Sequence, residues 1–419
     1  MPLFNFSDII FFNIYAQIKG CNTDMKNFDM LTIKIHSLVV FRNLLNDNII
    51  KKLIKLIKID NNDLELFVDT YADFCSVLFN YNNNLSDYIL NLILEDDNFF
   101  VKNYCKDEFP PSENQKMLMN ELDILHDLSL ISSDMVCYGC EYEGYLPQWD
   151  ISGYDFQALY FERIKNIDKH GYGIFAKYHI FTIDNSNIIP VKKPEKILLS
   201  DLKGYDMQRQ PVIDNTIALL NNKKAENILL YGDAGTGKSA TVKAIANEYK
   251  DKGLRLIEIK KNQLYQIPVI VEKLYNNPLK FIFFIDDLSF QNSDDDFAAL
   301  KAILEGSVSA PADNIVIYAT SNRRHIIKET FSDRDGDDIH RRDTMEEISS
   351  LSDRFGIVIT FSRPEKKQYT QIVSELAQQY GINMNIDELI IQAEAYAIRK
   401  GGRTPRAAKQ FIQMLKAKQ

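Results

Sequence analysis

Cysteine is scarce in this 419-residue chain: five occur, Cys21, Cys75, Cys105, Cys137 and Cys140, an odd number spread over a long sequence. That excludes a disulfide framework and fits reduced thiols. Cys137-Tyr138-Gly139-Cys140 is a lone C-x-x-C. A structural zinc site there would need two further ligands, for which Cys105 and His126 are the candidates; buried or loop thiols are the expectation. Long apolar runs are missing too. None approaches the roughly 20 residues of a membrane span, and no basic segment followed by an apolar core and a cleavage site opens the chain, so a cytoplasmic protein with no membrane span is expected. Positive charge is in deficit, with 49 Lys and Arg against 58 Asp and Glu, a net charge of −9. Such a balance argues against an open, sequence-independent grip on nucleic acid, though it leaves room for a local basic patch. Internal repeats and low-complexity tracts are absent as well.

What is present is ordinary globular composition, 45% apolar and 26% charged, in a chain long enough for two or three domains. Residues 1–150 read as a mainly helical N-terminal domain. Leu38, Phe41, Leu44, Leu45, Ile49, Ile50, Leu53, Ile54 and Ile57 recur at helical spacing, interleaved with Lys51, Lys52 and Lys55, as in an amphipathic stripe with a solvated charged face. Residues 151–197 read as a helix plus β-hairpin connector. Its β-prone Ile174, Phe175, Tyr178, Ile180, Phe181 and Ile183 are followed by the turn residues Asn185-Ser186-Asn187. Residues 198–362 alternate strand and helix, with strands expected at 227–231, 254–260, 280–287, 314–319 and 356–360. This predicts a parallel five-stranded sheet covered by helices, with ligands beyond the carboxyl ends of its strands. Residues 363–419 return to helices only, over about 364–380, 386–399 and 404–416.

The densest signal is Gly232-Asp233-Ala234-Gly235-Thr236-Gly237-Lys238-Ser239, a complete G-x-x-x-x-G-K-[ST] phosphate-binding loop, or Walker A motif, followed by Ala240. Glycines let successive backbone N–H groups turn inward around phosphate oxygens, and the helix that follows adds the positive end of its dipole. Lys238 is placed to reach the β- and γ-phosphates, and Ser239 to ligate Mg²⁺. About fifty residues on, Phe281-Ile282-Phe283-Phe284-Ile285-Asp286-Asp287 is an apolar strand ending in two carboxylates, a Walker B pattern. Asp286 is expected to hold the metal and Asp287 to polarise the attacking water. The strand at 314–319 ends in Thr320-Ser321-Asn322, and Asn322 is the candidate to lie between γ-phosphate and water.

In this order the motifs resemble the AAA+ ATPase superfamily. Leu202 to Arg209, the phosphate loop, Ile285 to Phe290, Ala319-Thr320-Ser321-Asn322-Arg323-Arg324-His325 and Ser350 to Gly356 together are similar to a bacterial AAA+ family known only as a domain of unknown function; the likeness covers roughly 154–416. It implies ATP and Mg²⁺ as cofactors and an AAA+ helical lid at 363–419. It also implies that Arg354, just before the last strand, reaches a neighbouring subunit's nucleotide. Arg406, in Gly402-Arg403-Thr404-Pro405-Arg406, would touch the γ-phosphate of its own chain, with Arg403 a weaker substitute. Tyr205 and the backbone at Gly204 lie where AAA+ chains pass over the adenine, though packing explains Tyr205 equally well. Asp287 departs from the pattern, because many active motors have glutamate there, and the shorter carboxylate leads to an expectation of slow hydrolysis. The basic groups Arg323-Arg324-His325 and Arg341-Arg342 read as a lip for a partner or a neighbouring subunit, the second being preferred. Asp294 to Asp296 read as a helix start, and Asp333, Asp335, Asp337 and Asp338 as a charged loop.

Two functions compete. One is an oligomeric Mg²⁺-ATPase, a hexamer among the assemblies it admits, that remodels or loads a protein or nucleic-acid partner engaged through the N-terminal region. The other is a nucleotide-gated adaptor that binds ATP and hydrolyses little; Asp287 and the lack of a recognisable aromatic-hydrophobic pore loop favour it. A small-molecule kinase would leave Asn322, Arg354 and the lid without a purpose.

Overall fold

The computed structural model describes residues 24–59, 63–106, 112–288, 300–301, 303–304, 313–322 and 354–418. Cys21, Asp294 to Asp296, Arg323 to His325, Asp333 to Asp338, Arg341-Arg342 and Ser350 to Asp353 lie outside them, so the expectations placed on those residues do too. The chain divides into two compact units, Met1–Asn166 and Ile167–Gln419.

The first unit is helical among its described residues, with helices at Asp24–His36, Asn48–Leu56, Leu64–Leu78, Leu85–Glu95, Phe99–Tyr104, Ser112–Ser129, Ser133–Val136 and Phe156–Lys165. The stripe that begins at Leu38 is broken once. Asp47 ends the short 3₁₀ turn Arg42–Asn46 and caps the next helix, accepting from the Ile49 and Ile50 amides at 2.9 and 3.0 Å. Leu53 and Leu56 are buried and Lys51 and Lys55 exposed, while Lys52 pairs with Asp73. Glu121, only 2% exposed, accepts from the amides of Val39, Val40 and Phe41 at 2.8, 3.2 and 3.1 Å. Cys75, Cys105, Cys137 and Cys140 are reduced thiols, not joined in disulfides. Burial pushes the Cys75 thiol up to about 12 and raises that of Cys137, which leaves neither as a ready nucleophile. Among the described residues no three His, Cys, Asp or Glu side chains cluster to hold a metal, and no helix is long and apolar enough to cross a membrane.

The second unit is built on one sheet. Its strands are β1 Ile180–Asp184, β2 Asn187–Pro190, β3 Ile228–Gly232, β4 Leu254–Ile259, β5 Lys280–Ile285, β6 Ile315–Ser321 and β7 Ile357–Phe361, in the order β2-β1-β4-β5-β6-β3-β7. Among the described residues the expected five strands are therefore seven. The hairpin joins the sheet, with β1 parallel to β4 through the register Ile180↔Leu256 and β2 antiparallel outside it. Ile180, Phe181 and Ile183 are buried, so pairing with β4 covers apolar side chains and a sheet edge together. Asn185 and Ser186, at φ 47° and 59°, make the two-residue turn. The hairpin is shorter than expected, because Ile174–Lys177 is a helical turn that sets Phe175 on Phe181 and Phe281 at centroid distances of 4.9 and 5.4 Å.

Alternation along β5 assigns the two faces. Ile282 and Phe284 pack with Leu256, Tyr318 and the helices Asp206–Leu220 and Lys238–Glu248; Phe281, Phe283 and Ile285 pack with Ile257, Ile317 and the helix Ile267–Leu274. A strand buried on both faces needs a continuous apolar run, and β5 and β6 have one. The helices Lys366–Tyr380, Ile386–Arg399 and Pro405–Lys416 share the first of these cores through Tyr369, Ile372, Ala393, Phe411 and Ile412. All the strands except β2 run in one direction, so the carboxyl ends of β3, β5 and β6 open on one edge.

Candidate functional site

The phosphate loop leaves β3 at Gly232, whose φ is 133°. A Cβ there would stand 2.2 Å from the Phe361 carbonyl oxygen, so only glycine allows β3 and β7 to lie this close at their tips. Gly235 and Gly237 also take positive φ, and Gly237 leads directly into the helix Lys238–Glu248. The Thr236 hydroxyl donates to the Asp233 carbonyl at 2.8 Å, tightening the loop. Ser239 and Ala240 are half-buried in the first helical turn.

Lys238 is buried at 5% exposure. Its ammonium donates to the Gly232 and Asp233 carbonyls, both at 2.8 Å, and to Asn322 Oδ1 at 3.0 Å. Burial lowers its pKa; Asp233, Asp287 and Asp286 act against that, and Arg406 adds to it. Arg406 and the carboxylates thus share one electrostatic neighbourhood with the lysine.

Opposite the loop, the tips of β5 and β6 form a side-chain network. Asp286 Oδ1 accepts from Ser239 Oγ and from Thr320 Oγ1, each at 2.6 Å. Thr320 Oγ1 in turn accepts the Asp287 amide at 2.9 Å, and Asn322 Nδ2 donates to Asp287 Oδ1 at 2.7 Å. Asp287 has φ 55°, a left-handed conformation that aspartate adopts more readily than most side chains but that still favours glycine. Its peptide is held by Thr320 from both sides, since the next amide, Leu288, donates to the Thr320 carbonyl at 2.7 Å. Thr320 is the hub of this network, and its one signal in the sequence is its place at a strand tip, the strand beside the one that ends in Asp286. A hydroxyl and a carboxylate 2.6 Å apart, Ser239 and Asp286, are both oxygen donors and suit a hard cation such as Mg²⁺.

Arg406 lies in the first turn of the helix Pro405–Lys416. Thr404 caps that helix by accepting the Ala407 amide at 3.1 Å, and the Arg406 amide donates to the Gly235 carbonyl at 3.3 Å. Arg406 is exposed beside the loop, whereas Arg403 is held in a fork by Glu394 at 2.8 to 3.0 Å. Tyr205 is 4% exposed, its ring stacked on Phe361 at 5.4 Å and its hydroxyl donating to the Ser362 carbonyl at 2.6 Å. Its side chain is engaged in packing, the second of the two readings the sequence left open. Arg354 is not among this group. It precedes β7, in which Ile357 pairs with Ile228 and Phe361 with Gly232. The four residue steps between those pairs span about 13 Å, which sets Arg354 toward the amino end of the sheet while the loop of its own chain lies at the carboxyl end.

A family described as a protein of unknown function, DUF815, matches residues 176–419. The chain belongs to this family. The match takes in the loop, the strand tips and the last helices, where the AAA+ resemblance also lies. Among curated proteins, the ORC1-type DNA replication protein 14 of Haloarcula marismortui is 36% identical over 83 residues, 20% of this chain and 17% of that protein. Among solved structures, the RuvB Holliday junction branch migration motor of Thermotoga maritima is 15% identical with a TM-score of 0.37, covering 52% of this chain and 63% of that one. The AMPPCP-bound DnaA of Aquifex aeolicus is 19% identical with a TM-score of 0.36, covering 54% and 67%. The chain thus spans about a sixth of the curated relative and less than two thirds of the RuvB chain.

Proposed function

We propose that this DUF815 protein binds ATP at the phosphate loop and hydrolyses it to ADP and phosphate as an oligomer, with Arg354 of a neighbouring chain completing each site. One observation carries the reading: Lys238, Ser239, Asp286, Asp287, Thr320 and Asn322 form a continuous hydrogen-bonded set at one edge of the sheet. Three separate segments of sequence meet there. The positive φ angles of Gly235 and Gly237 let loop amides converge on phosphate oxygens. Lys238 exchanges its loop carbonyls for the β- and γ-phosphates, and Arg406 adds a second cation from the lid. Ser239 and Asp286 would hold Mg²⁺, which when bound offsets charge on the transferring phosphoryl group. Asp287 accepts a proton from the attacking water, oriented by Asn322 and fixed by Thr320. Arg354 lies too far along the strand to serve its own loop, which supports a role across subunits.

Asp287 also supports the second reading, a nucleotide-gated adaptor. Its carboxylate is one methylene shorter than glutamate and is tied to Asn322 at 2.7 Å, and a misplacement of about 1 Å can cost about 100-fold in rate. For the partner, charge favours protein over nucleic acid at the first unit. Residues 1–166 carry 25 Asp and Glu against 13 Lys and Arg. The test is complementation. Arg354→Ala and Lys238→Ala chains should each be inactive alone and recover a fraction of the hydrolysis when mixed, because an Arg354→Ala site can borrow the arginine of a Lys238→Ala neighbour. No recovery in mixed oligomers would refute the shared site.

A further inference from the structure

We propose that Arg363 is a positioning residue that latches the phosphate loop to the turn Gly401–Arg406, so that the state of the loop sets where Arg406 stands. The proposal rests on the nucleotide reading above and adds a route within one chain from loop to lid.

Arg363 lies two residues beyond β7 and next to Pro364, where the chain turns from the sheet into the helix Lys366–Tyr380. Three of its groups are engaged. Its amide donates to Asp233 Oδ2 at 3.0 Å, its Nε lies 3.4 Å from Asp233 Oδ1, and its Nη1 donates to the Gly401 carbonyl at 3.1 Å. Asp233 is the first variable position of the phosphate loop, and its own amide donates to the Phe361 carbonyl at 3.1 Å. On the far side, a Cβ on Gly402 would stand 2.8 Å from Arg363 Nη1, and Gly402 has φ 139°. Two successive glycines, both at positive φ, bring the turn this close to the guanidinium. The turn touches the loop a second time through the Arg406 amide and the Gly235 carbonyl at 3.3 Å. The loop from Asp233 to Gly235 is therefore clamped to the segment that carries Arg406.

Lys238 gives this clamp a trigger. Its ammonium donates to the carbonyls of Gly232 and Asp233 at 2.8 Å. A phosphate that draws the ammonium forward releases the peptide of Asp233, the residue whose carboxylate Arg363 holds. Movement there passes through Arg363 to Gly401, and through Gly235 to Arg406. The Arg363 and Asp233 side chains are 54% and 44% exposed. Pairs so exposed add little to stability, so replacing Arg363 should disturb coupling without unfolding the chain.

Hydrogen exchange of the full-length protein, read on peptides covering Gly401–Arg406, tests the latch, with ATP and a non-hydrolysable analogue as probes. Without nucleotide, Arg363→Gln should raise exchange of this turn about tenfold, Arg363→Lys should raise it less, and Asp233→Asn should resemble Arg363→Gln. In the wild type, nucleotide should change protection of the turn. In Arg363→Gln that response should be lost while ATP affinity shifts by no more than about threefold. Unchanged exchange in Arg363→Gln, with and without nucleotide, would overturn the latch. Should the wild type bind no ATP, the nucleotide reading fails, and the nucleotide-free comparison still decides whether Arg363 ties the loop to the turn.

Discussion

The helical unit and the phosphate-loop edge of the sheet unit use their polar side chains differently. In the helical unit, Glu121 gives both carboxylate oxygens to backbone amides of residues 39–41, Tyr71 donates to the Pro147 carbonyl and Trp149 to the Ile131 carbonyl. Each side chain closes a backbone group that burial would otherwise leave without a partner. In the sheet unit, side chains bond to side chains at one edge, and Asp286, Asp287 and Asn322 are exposed there. A hydrogen bond that completes the backbone serves the fold. At the phosphate-loop edge the exposed Asp286, Asp287 and Asn322 join the buried Thr320 and Lys238 in one network that holds Asp287 in a left-handed conformation, a pattern that fits the proposed site.

Substitutions sharpen that contrast. The largest effect is expected at Arg354: Arg354→Ala should lower hydrolysis by at least about 10³-fold with ATP affinity nearly unchanged, measured by steady-state rate and equilibrium titration. An equal loss of binding would remove Arg354 from the trans role. Glu121→Ala should cost about 3 kcal/mol or more, because the buried amides of Val40 and Phe41 and the half-buried amide bond of Val39 lose a charged acceptor. Urea unfolding reads this, and a small loss would mean that the helical unit does not depend on its buried carboxylate. Asp287→Gly should shift stability by less than about 1 kcal/mol, since relief of the left-handed backbone offsets glycine's chain entropy and the lost Asn322 bond. Hydrolysis by the same protein should fall about 100-fold. A large loss of stability with hydrolysis retained would reverse the assignment.

The smallest effect is expected at a structural polar pair inside the sheet unit. His179 Nε2 lies 2.8 Å from Asn247 Oδ1, and burial holds its pKa below 6.5. The folded state therefore binds fewer protons than the unfolded state just below pH 6.5, so His179 contributes stability above that value and loses it as the pH falls. Thermal unfolding followed from pH 7.5 to 5 should show a steeper decline in the wild type than in His179→Gln. Parallel declines would show that the imidazole carries no such linkage.

Much of this was legible because the signals are local. The glycine spacing, the apolar run of β5 and its two terminal acids, and Thr404-Pro405 at a helix start each follow from a few adjacent residues. The hairpin's place in the sheet was not legible. β1 and β4 pair across more than seventy residues, and six β-prone side chains do not name their partner. Tyr205 shows the same limit, since its packing against Phe361 depends on chain 156 residues away. Thr320 and Arg363 were missed for a related reason. Each acts by joining an acid from a distant segment, Asp286 or Asp233, and neither carries a spacing that announces it.

The most direct test of a shared ATPase site is the hydrolysis rate per chain over a wide range of protein concentration, with assembly state read in the same samples. The account predicts a rate that climbs steeply as oligomers form and saturates once every Arg354 has a neighbour to serve. A flat, near-zero rate despite tight ATP binding would contradict it and leave the nucleotide-gated adaptor as the function of this fold.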